Sequence, residues 1–305
     1  MSALERLFPA FALLSQRLRY SGLRCGLRVE IGGTGRLSYG DGVSVGDGTR
    51  VELTPGSMLK IGSGVSISRN VHVVPESGRA TRIGAGTTIQ DGCRIYGAVA
   101  IGQRCILAPN VFVSSGTHAF DTVPHRPIQE QERLAPVPSR PVAIHDDCWL
   151  GINSAIMPGV TIGRGCVVGA NTVVTSDLAP FSIAVGQAAR VVRQRLDFSP
   201  KARIDADNEY DAPYFYDGFD LMRAQDGPMR ASGPEFTLAL NSPTPRAVRL
   251  AASGDDVGIS LGQARQTING ERTVLEFPIE NADATLPFLR FKADGALAVH
   301  WAELV

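Results

Sequence analysis

The stretch that decides the fold is residues 80–114, ATRIGAGTTIQDGCRIYGAVAIGQRCILAPNVFVS, in which every sixth position is aliphatic. After an interruption over residues 114–143 the same count resumes and continues to residue 174. Self-similarity at a short fixed period is typical of solenoids, whose turns contact only their neighbours. The aliphatic positions are Ile83, Ile89, Ile95, Ile101, Leu107, Val113, Ile144, Leu150, Ile156, Ile162, Val168 and Val174. We therefore predict that these side chains point inward and stack into one continuous core.

Two companion positions repeat with the same period. Glycine often follows the aliphatic residue directly, as at Gly84, Gly102, Gly151, Gly163 and Gly169. A small residue often stands four positions after it, as at Cys93, Cys105, Cys148, Ser154, Cys166 and Thr172. A looser version of the period precedes residue 80, at Ile61, Ile67 and Val73. Small residues at fixed places indicate tight corners between short flat segments.

This pattern resembles the hexapeptide-repeat acyltransferases over about residues 30–195. The resemblance implies an all-β fold, a left-handed parallel β-helix with three six-residue flats per turn. It also implies a homotrimer, because the family places its active site between adjacent subunits. We therefore predict a left-handed β-helix domain over residues 29–200, with an inserted loop at residues 114–143.

The inserted loop is the first candidate for function, since long loops in compact folds are usually functional or disordered. Its first segment, SGTHAFD over residues 115–121, contains His118 at the point where the chain leaves the repeat. A histidine near neutral pKa suits removal of a hydroxyl proton during acyl transfer. We predict that His118 is the general base and that Asp121 orients its imidazole, although an exposed loop aspartate fits Asp121 nearly as well. His125 and His145 are weaker candidates.

The residues around the loop resemble those of sugar O-acetyltransferases of the maltose, galactoside and polysaccharide type. The similar runs are IHDDCWLG at residues 144–151 and PGVTIG at residues 158–163. The resemblance implies acetyl-CoA as acyl donor, an oxyanion contact from the Ile152 N–H, and Trp149 beside the pantetheine arm. The further coenzyme-binding residues that it implies are Gly151, Gly169, Ala184, Gly186, Arg190 and Arg193. The family's usual Gly-Asn-Pro-Ala is replaced here by GQAA at residues 186–189.

Composition limits the partners and the compartment. Thirty Lys and Arg balance thirty Asp and Glu, so no global positive charge attracts nucleic acid. The five cysteines form no Cys-x-x-Cys pair, which argues against a zinc site and a disulfide framework and favours a reducing compartment. Four of them stand at the small position of the repeat, where a structural thiol is expected.

The N-terminal segment, residues 1–28, is predicted to be helical. Leu4, Leu7, Phe8, Phe11, Leu14 and Leu18 recur at helical spacing, with arginines among them. The apolar run is too short to span a bilayer. Two interpretations stay open, a helix packed on the protein itself and a membrane-surface helix over residues 4–19. We expect a cytoplasmic protein, with peripheral contact at the inner membrane face under the second interpretation.

Beyond residue 205 the six-residue period is absent. Alternating apolar residues at 236/238/240, 275/277/279 and 297/299/301 predict strands, separated by turns such as Asn269-Gly270 and residues 293–295. We predict an antiparallel β-sandwich over residues 205–305. Its role is open between an assembly module and a carbohydrate-binding module.

The resemblance implies an enzyme that transfers acetyl from acetyl-CoA to a sugar hydroxyl of a surface polysaccharide or its precursor. Two alternatives stay open, an N-acetyltransferase acting on an amino sugar or nucleotide-sugar and a non-catalytic sugar-binding scaffold. A zinc enzyme on the same helix is disfavoured, since His72, His118, His125 and His145 show no closely spaced histidine pair. No metal is therefore expected.

Overall fold

The computed structural model describes residues 22–220, 228–232, 234–242, 245–279 and 287–305. The chain divides into two compact units, residues 1–197 and residues 198–305. The helix and the membrane contact predicted for residues 4–19 lie outside the described residues. The predicted helical segment also included Arg24–Cys25, which is a β-strand of the first unit.

Over residues 22–197 the first unit is a solenoid of short strands, with a short helix in its inserted loop. In chain order its strands are Arg24–Cys25 (β1), Glu30–Gly33 (β2), Arg36–Tyr39 (β3), Ser44–Val45 (β4), Arg50–Leu53 (β5), Met58–Ile61 (β6), Ser66–Ile67 (β7), His72–Pro75 (β8), Ala80–Ile83 (β9), Thr88–Ile89 (β10), Arg94–Gly97 (β11), Val99–Ile101 (β12), Ile106–Leu107 (β13), Phe112–Ser114 (β14), Val142–Ile144 (β15), Trp149–Leu150 (β16), Ala155–Ile156 (β17), Thr161–Ile162 (β18), Val167–Val168 (β19), Val173–Val174 (β20), Ser182–Val185 (β21) and Arg190–Gln194 (β22). The helix, Ile128–Leu134 (α1), lies between β14 and β15.

Every third strand of the solenoid joins the same sheet, which gives three parallel faces. Face A contains β1, β4, β7, β10, β13, β16, β19 and β21, with β22 added antiparallel at its end. Face B contains β2, β5, β8, β11, β14, β17 and β20, and face C contains β3, β6, β9, β12, β15 and β18. The predicted parallel β-helix is therefore confirmed.

The register of these sheets stacks the periodic aliphatic residues on one another. On face C, Ile83 pairs with Ile101, Ile101 with Ile144, and Ile144 with Ile162. These four side chains are at most 3% exposed. Faces A and B repeat the arrangement from Ile89 to Val168 and from Ile95 to Val174. The inserted loop therefore leaves the stacking order intact.

The segment that connects face B to face C contains more residues in the early turns than in the late ones. Val51, Val73 and Ile95 stack on face B at intervals of 22 residues, whereas Ile95 and Val113 are 18 residues apart. This difference explains the looser period that precedes residue 80. The inserted loop emerges from the same B–C corner, between β14 and β15.

An asparagine ladder follows the corner between faces A and B, and the sequence analysis did not identify it. The side-chain amide of Asn110 donates to the side-chain oxygen of Asn153, and that of Asn153 to Asn171, each at 3.1 Å. All three residues have φ between +54° and +60°. Asparagine tolerates this left-handed conformation better than most residues because its short side chain hydrogen-bonds locally. The ladder therefore stabilises a tight corner in three successive turns.

The second unit is antiparallel. Its strands are Arg203–Asp205 (β23), Phe215–Asp217 (β24), Met229–Arg230 (β25), Glu235–Ala239 (β26), Ala247–Leu261 (β27), Ala264–Pro278 (β28), Phe288–Ala293 (β29) and Ala298–Leu304 (β30), with a 3₁₀-helix at Glu209–Tyr214. One half of β27 pairs with β30 and the other half with β29. Register shifts between residues 252 and 257 separate the two halves. The strands thus form one continuous sheet around an aromatic core that includes Phe215, Phe236, Phe277 and Phe291.

The predicted antiparallel β structure of this unit is confirmed, but one predicted turn is wrong. Asn269-Gly270 lies inside β28, where Gly270 adopts φ +82° opposite the irregular part of β27. The hairpin turn is instead at residues 262–263, with Gly262 at φ +58°. A glycine with positive φ serves a bulge as well as a turn, so the dipeptide did not distinguish the two.

The cysteines of the solenoid lie inside it. Cys93, Cys105, Cys148 and Cys166 are at most 1% exposed, and each Sγ is 3.1–3.2 Å from a carbonyl oxygen of the following turn. Burial raises the pKa of the Cys93 and Cys166 thiols to about 11 and raises that of Cys148 well above its ordinary value. The thiols of Cys93, Cys148 and Cys166 are therefore protonated donors at neutral pH, a state that suits packing and not nucleophilic attack.

We expect Leu107→Ala to destabilise the first unit by about 2–5 kcal/mol, because Leu107 is fully buried. Its neighbour Ile106 points outward on the same strand and is 45% exposed, so Ile106→Ala should cost about 1 kcal/mol or less. Urea unfolding followed by circular dichroism compares the two. Equal midpoints for the two variants would contradict the inward stacking of Leu107.

Thiol accessibility gives a second check of the core. In native protein at pH 8, we expect an aromatic disulfide reagent to modify Cys25, which is half-buried, and to leave the other four cysteines unmodified. Those four should react only after unfolding, because the reagent needs an accessible thiolate. Rapid modification of Cys148 in folded protein would show that the solenoid core is open to solvent.

Candidate active site

One hydrogen bond joins the two ends of the inserted loop, and two others attach these ends to Ala98 of the preceding turn. The Arg140 N–H donates to the Ser115 carbonyl at 2.8 Å, and the Val142 N–H donates to the Ala98 carbonyl at 3.0 Å. The Ser115 hydroxyl also accepts from the Ala98 N–H at 2.9 Å. The chain therefore leaves the B–C corner and returns to it at nearly the same place.

Inside the loop, α1 is attached to the preceding segment by a buried glutamine. The Gln131 side chain is 1% exposed; its oxygen accepts from the Val123 N–H at 3.1 Å and its amide donates to the Arg126 carbonyl at 2.9 Å. Burying both ends of this amide is favourable only because both are hydrogen-bonded. The loop thus has an internal polar core that fixes α1.

His118 lies on this loop, exposed, beside a carboxylate of α1. Nδ1 of His118 is 3.3 Å from Oε2 of Glu132, and the same oxygen accepts from the Ala119 N–H at 3.0 Å. Ala119 is fully buried, whereas the His118 side chain is 83% exposed. The backbone next to His118 is therefore anchored while Nε2 faces solvent, an arrangement suited to a base that meets an external substrate.

Glu132 is the carboxylate that reaches the imidazole; Asp121, the residue singled out in the sequence, is exposed on the loop. The Ala119 N–H, and after it the His118 side chain, hold the pKa of the Glu132 carboxyl below its usual value. Because this pKa is lowered, the anchor persists at neutral pH and is lost only when the pH falls through the lowered value. The sequence offered no periodicity in the loop that would have identified Glu132.

Face A carries an outward apolar stripe, which we define as the exposed Ile106 and Trp149 and the half-buried Val167 and Ile183. They are consecutive partners in the parallel register of face A. Trp149 is 52% exposed. An exposed indole within an apolar row provides a surface for an extended, partly apolar ligand. Trp149 therefore presents its ring to solvent on face A, and its contact with a coenzyme arm stays a prediction.

The glycines inferred from the sequence to bind the coenzyme, Gly151, Gly169 and Gly186, lie at the corner after face A, whereas Ala184 is buried on β21 of face A. A Cβ at Gly151 would lie 2.7 Å from the backbone nitrogen of Ala170, so the turns approach too closely there for a side chain. Gly186 has φ +102° and its N–H donates to the Thr172 hydroxyl at 3.1 Å. Gly169 donates to the carbonyl of the buried Ala184 at 2.8 Å. These glycines form the backbone of the A–B corner.

Ile152 stands at the same corner and is 43% exposed. Within the described part of the chain, no group accepts a hydrogen bond from its backbone N–H. A backbone N–H without a protein acceptor at an exposed corner is available to a ligand oxygen. The geometry is thus compatible with the oxyanion contact predicted from the resemblance.

Arg190 and Arg193 lie on β22, which is exposed along its whole length. They stand opposite Val185 and Ile183 of β21, at the end of the apolar stripe. A different arginine, Arg195, is used for structure: its guanidinium donates to Oδ2 of Asp147 at 2.9 Å. Arg190 and Arg193 therefore provide positive charge at the end of the stripe.

The remaining histidines have other surroundings. His145 is half-buried at the corner between faces C and A, and His125 is exposed in the loop. His72 belongs to face B, where Nε2 is 3.0 Å from Oε1 of Glu52. Among the described residues, no three His, Cys, Asp or Glu side chains are arranged to hold a metal ion. The described part of the chain also contains no helix with the length and apolar character needed to cross a bilayer.

Comparison with known proteins identifies the repeat. The model of the bacterial transferase hexapeptide family (six repeats) matches residues 80–115 and 141–176. Galactoside O-acetyltransferase of Escherichia coli is 35% identical over 96 residues, which are 32% of this chain and 44% of that protein. Chloramphenicol acetyltransferase of Agrobacterium fabrum is 36% identical over 81 residues, 27% of this chain and 39% of that protein. The chain thus spans less than half the length of each of these curated relatives.

Among solved structures, the polySia-specific acetyltransferase NeuO is similar over 58% of this chain and 77% of that chain, with 23% identity and a TM-score of 0.38. The two segments that match the family model flank the inserted loop on both sides. They coincide with the turns in which the aliphatic stacking is most regular. Over residues 80–115 and 141–176 this chain is therefore similar to the bacterial transferase hexapeptide family.

Proposed function

We propose that the protein is an acetyl-CoA-dependent O-acetyltransferase acting on a sugar hydroxyl of a surface polysaccharide or its precursor. The observation that carries the proposal is the exposed His118 imidazole, held on an anchored loop with Glu132 at its Nδ1. A carboxylate on one ring nitrogen favours the tautomer in which the other nitrogen accepts a proton. His118 is therefore suited to act as a base through Nε2.

In this reaction Nε2 of His118 takes the proton of the acceptor hydroxyl as its oxygen attacks the thioester carbonyl carbon. The Ile152 N–H stabilises the negative charge that develops on the carbonyl oxygen. The carbon–sulfur bond then breaks, and the imidazolium returns the proton to the thiolate of coenzyme A. The products are the acetyl ester and the free thiol, and His118 regains its starting protonation.

Acetyl-CoA would lie along the apolar stripe, with Trp149 beside its arm and Arg190 and Arg193 toward its phosphates. Arginine binds phosphate through charge-assisted hydrogen bonds. The predicted residues Gly151, Gly169 and Gly186 shape the adjoining corner, where a Cβ at Gly151 or Gly169 would lie 2.7 Å from another atom, and the predicted Ala184 is buried on β21 beside it.

The placement of these residues supports a homotrimer. His118 leaves the solenoid at the B–C corner, whereas the coenzyme residues lie on face A and at the A–B corner of the same chain. A second copy that brings its face A to the B–C corner of the first would unite the two sets. Closed cyclic symmetry repeats that contact without leaving an open end.

An acceptor screen with radiolabelled acetyl-CoA tests the proposed activity. We expect label in saccharides, released by mild alkali as from an ester, and at least about a hundredfold lower turnover for His118→Ala. The variant should keep a trimeric mass by light scattering and its affinity for coenzyme A. Alkali-stable label only in amino sugars would show an N-acetyltransferase. Absence of coenzyme binding would support the non-catalytic scaffold.

The contribution of Glu132 is tested by comparing it with Asp121. Because the His118–Glu132 pair is exposed, we expect Glu132→Ala to lower kcat about tenfold, well below the roughly 10⁴-fold effect of a buried triad carboxylate. Glu132→Gln keeps an acceptor for the Ala119 N–H, so its kcat should fall less than that of Glu132→Ala. The acceptor KM should change little in both variants, and Asp121→Asn should resemble the wild type. A larger loss for Asp121→Asn would assign the positioning role to Asp121.

A further inference from the structure

A groove on face B lies next to the start of the inserted loop. Its volume is about 500 Å³ and it is shallow and largely open to solvent. This size falls in the range of roughly 300–1,000 Å³ that is usual for small-molecule sites. The polar residues that line it are Thr54, His72, Glu76, Tyr96, Ser114, Ser115 and Ser139, beside Val74, Pro75 and Val137. The groove is thus amphipathic, with hydroxyl-bearing side chains around an apolar floor.

One wall of the groove is a hydrogen-bonded network on face B. Nε2 of His72 is 3.0 Å from Oε1 of Glu52, and Nδ1 is 3.0 Å from the Tyr96 hydroxyl. If the carboxylate accepts from Nε2–H, Nδ1 of a neutral imidazole accepts from the tyrosine hydroxyl. The Tyr96 ring is also enclosed edge to face by His72 and Phe112, at 5.3 and 5.9 Å between centroids. Tyr96 is therefore held in one orientation, with its oxygen still able to accept a hydrogen bond.

The opposite wall joins the solenoid to the loop. Oε2 of Glu76 accepts from the Ser139 hydroxyl at 2.6 Å, and Oε1 is 3.6 Å from Nε of Arg79. The Glu76 side chain is still 28% exposed. A carboxylate accepts up to about four hydrogen bonds, so Glu76 retains capacity for ligand hydroxyls.

The groove is close to the proposed base. Ser115 and Gly116 belong to its lining, and Gly116 precedes His118 by two residues. Two residues of chain span at most about 7 Å. The backbone of His118 therefore lies within about 7 Å of the Gly116 backbone that lines the groove.

The charge of the lining limits the class of ligand. Among the described residues, the groove is lined by the carboxylate of Glu76 and by no lysine or arginine side chain. Arg79 pairs with Glu76 from outside the lining, at 3.6 Å between Nε and Oε1. A uronic acid, sialic acid or nucleotide diphosphate in the groove would still meet the Glu76 carboxylate and no lysine or arginine of the lining. A neutral sugar ring instead presents hydroxyls to Glu76 and Tyr96 and carbon-bound hydrogens to Val74, Pro75 and Val137.

We propose that this groove is the acceptor subsite, and that it binds an uncharged sugar unit of a glycan through Glu76 and Tyr96 while excluding anionic and nucleotide-linked sugars. The inference rests on the proposed acetyl transfer for its assignment as an acceptor site. The open groove suits a unit within a longer chain, since neighbouring units can extend into solvent.

Binding to the full-length protein, measured by NMR titration without acetyl-CoA, tests the groove separately from catalysis. The probes are the methyl glycosides of galactose, glucose and mannose, each paired with the methyl glycoside of its uronic acid. We expect at least one neutral glycoside to bind about tenfold or more tightly than its uronate partner. Glu76→Gln should weaken binding of that neutral glycoside about tenfold. It should also reduce the difference in affinity between the neutral glycoside and its uronate. Tyr96→Phe should also weaken it.

The matched control is Glu30→Gln, which removes a carboxylate from the same face that is ion-paired with Arg50 at 3.0 Å and does not line the groove. It should leave all affinities unchanged. The proposal is overturned if the uronates bind as tightly as the neutral glycosides, if no neutral glycoside binds, or if neither Glu76→Gln nor Tyr96→Phe changes affinity. Failure of acetyl transfer with normal glycoside binding would count against the proposed reaction and not against the groove.

Discussion

The contact between successive turns of the solenoid constrains everything else in the first unit. Parallel strands stack about 4.7–4.9 Å apart, so each inward side chain lies directly on that of the turn before it. At Gly102 an added Cβ would come within 2.5 Å of the Asp146 nitrogen in the next turn. The same closeness allows buried thiols to donate to carbonyls one turn away. Aliphatic stacking, corner glycines and small fourth-position residues are therefore three results of one spacing.

This spacing separates the residues that form the core from the residues that can contact a ligand. Inward positions are committed to stacking, so chemistry is confined to the outward positions and the corners. Trp149 and Leu150 show the division within a single strand, since the indole is 52% exposed and the leucine fully buried. The proposed roles follow it, with the coenzyme on face A, the acceptor on face B, and the base on a loop at the B–C corner. Because inward and outward residues alternate, the binding surfaces can differ among related proteins without altering the core.

The sequence predicted the solenoid well because its signal is periodic. Each of the twelve aliphatic positions from Ile83 to Val174 is at most 3% exposed, as expected from spacing alone. Features that depend on contacts between distant residues were not predictable in the same way. Glu132 reaches His118 only because α1 folds back, and the groove joins face B to Ser139 of the loop. Asn269-Gly270 has the composition of a turn, and only its pairing with β27 shows that it forms an irregularity within a strand.

Because hydrogen bonds close the base of the loop, the solenoid does not depend on the loop that carries the proposed base. Ser115 and Arg140 meet across 2.8 Å, so the chain between them begins and ends at one point of the corner. Closing a loop costs entropy that rises only slowly with its length, about 0.6 kcal/mol for each doubling. The corner accordingly tolerates a segment of almost any length while the turns above and below keep their register. In evolutionary terms the loop can be exchanged independently, and its replacement would change or abolish the proposed acetyl transfer while the solenoid that carries it still folds.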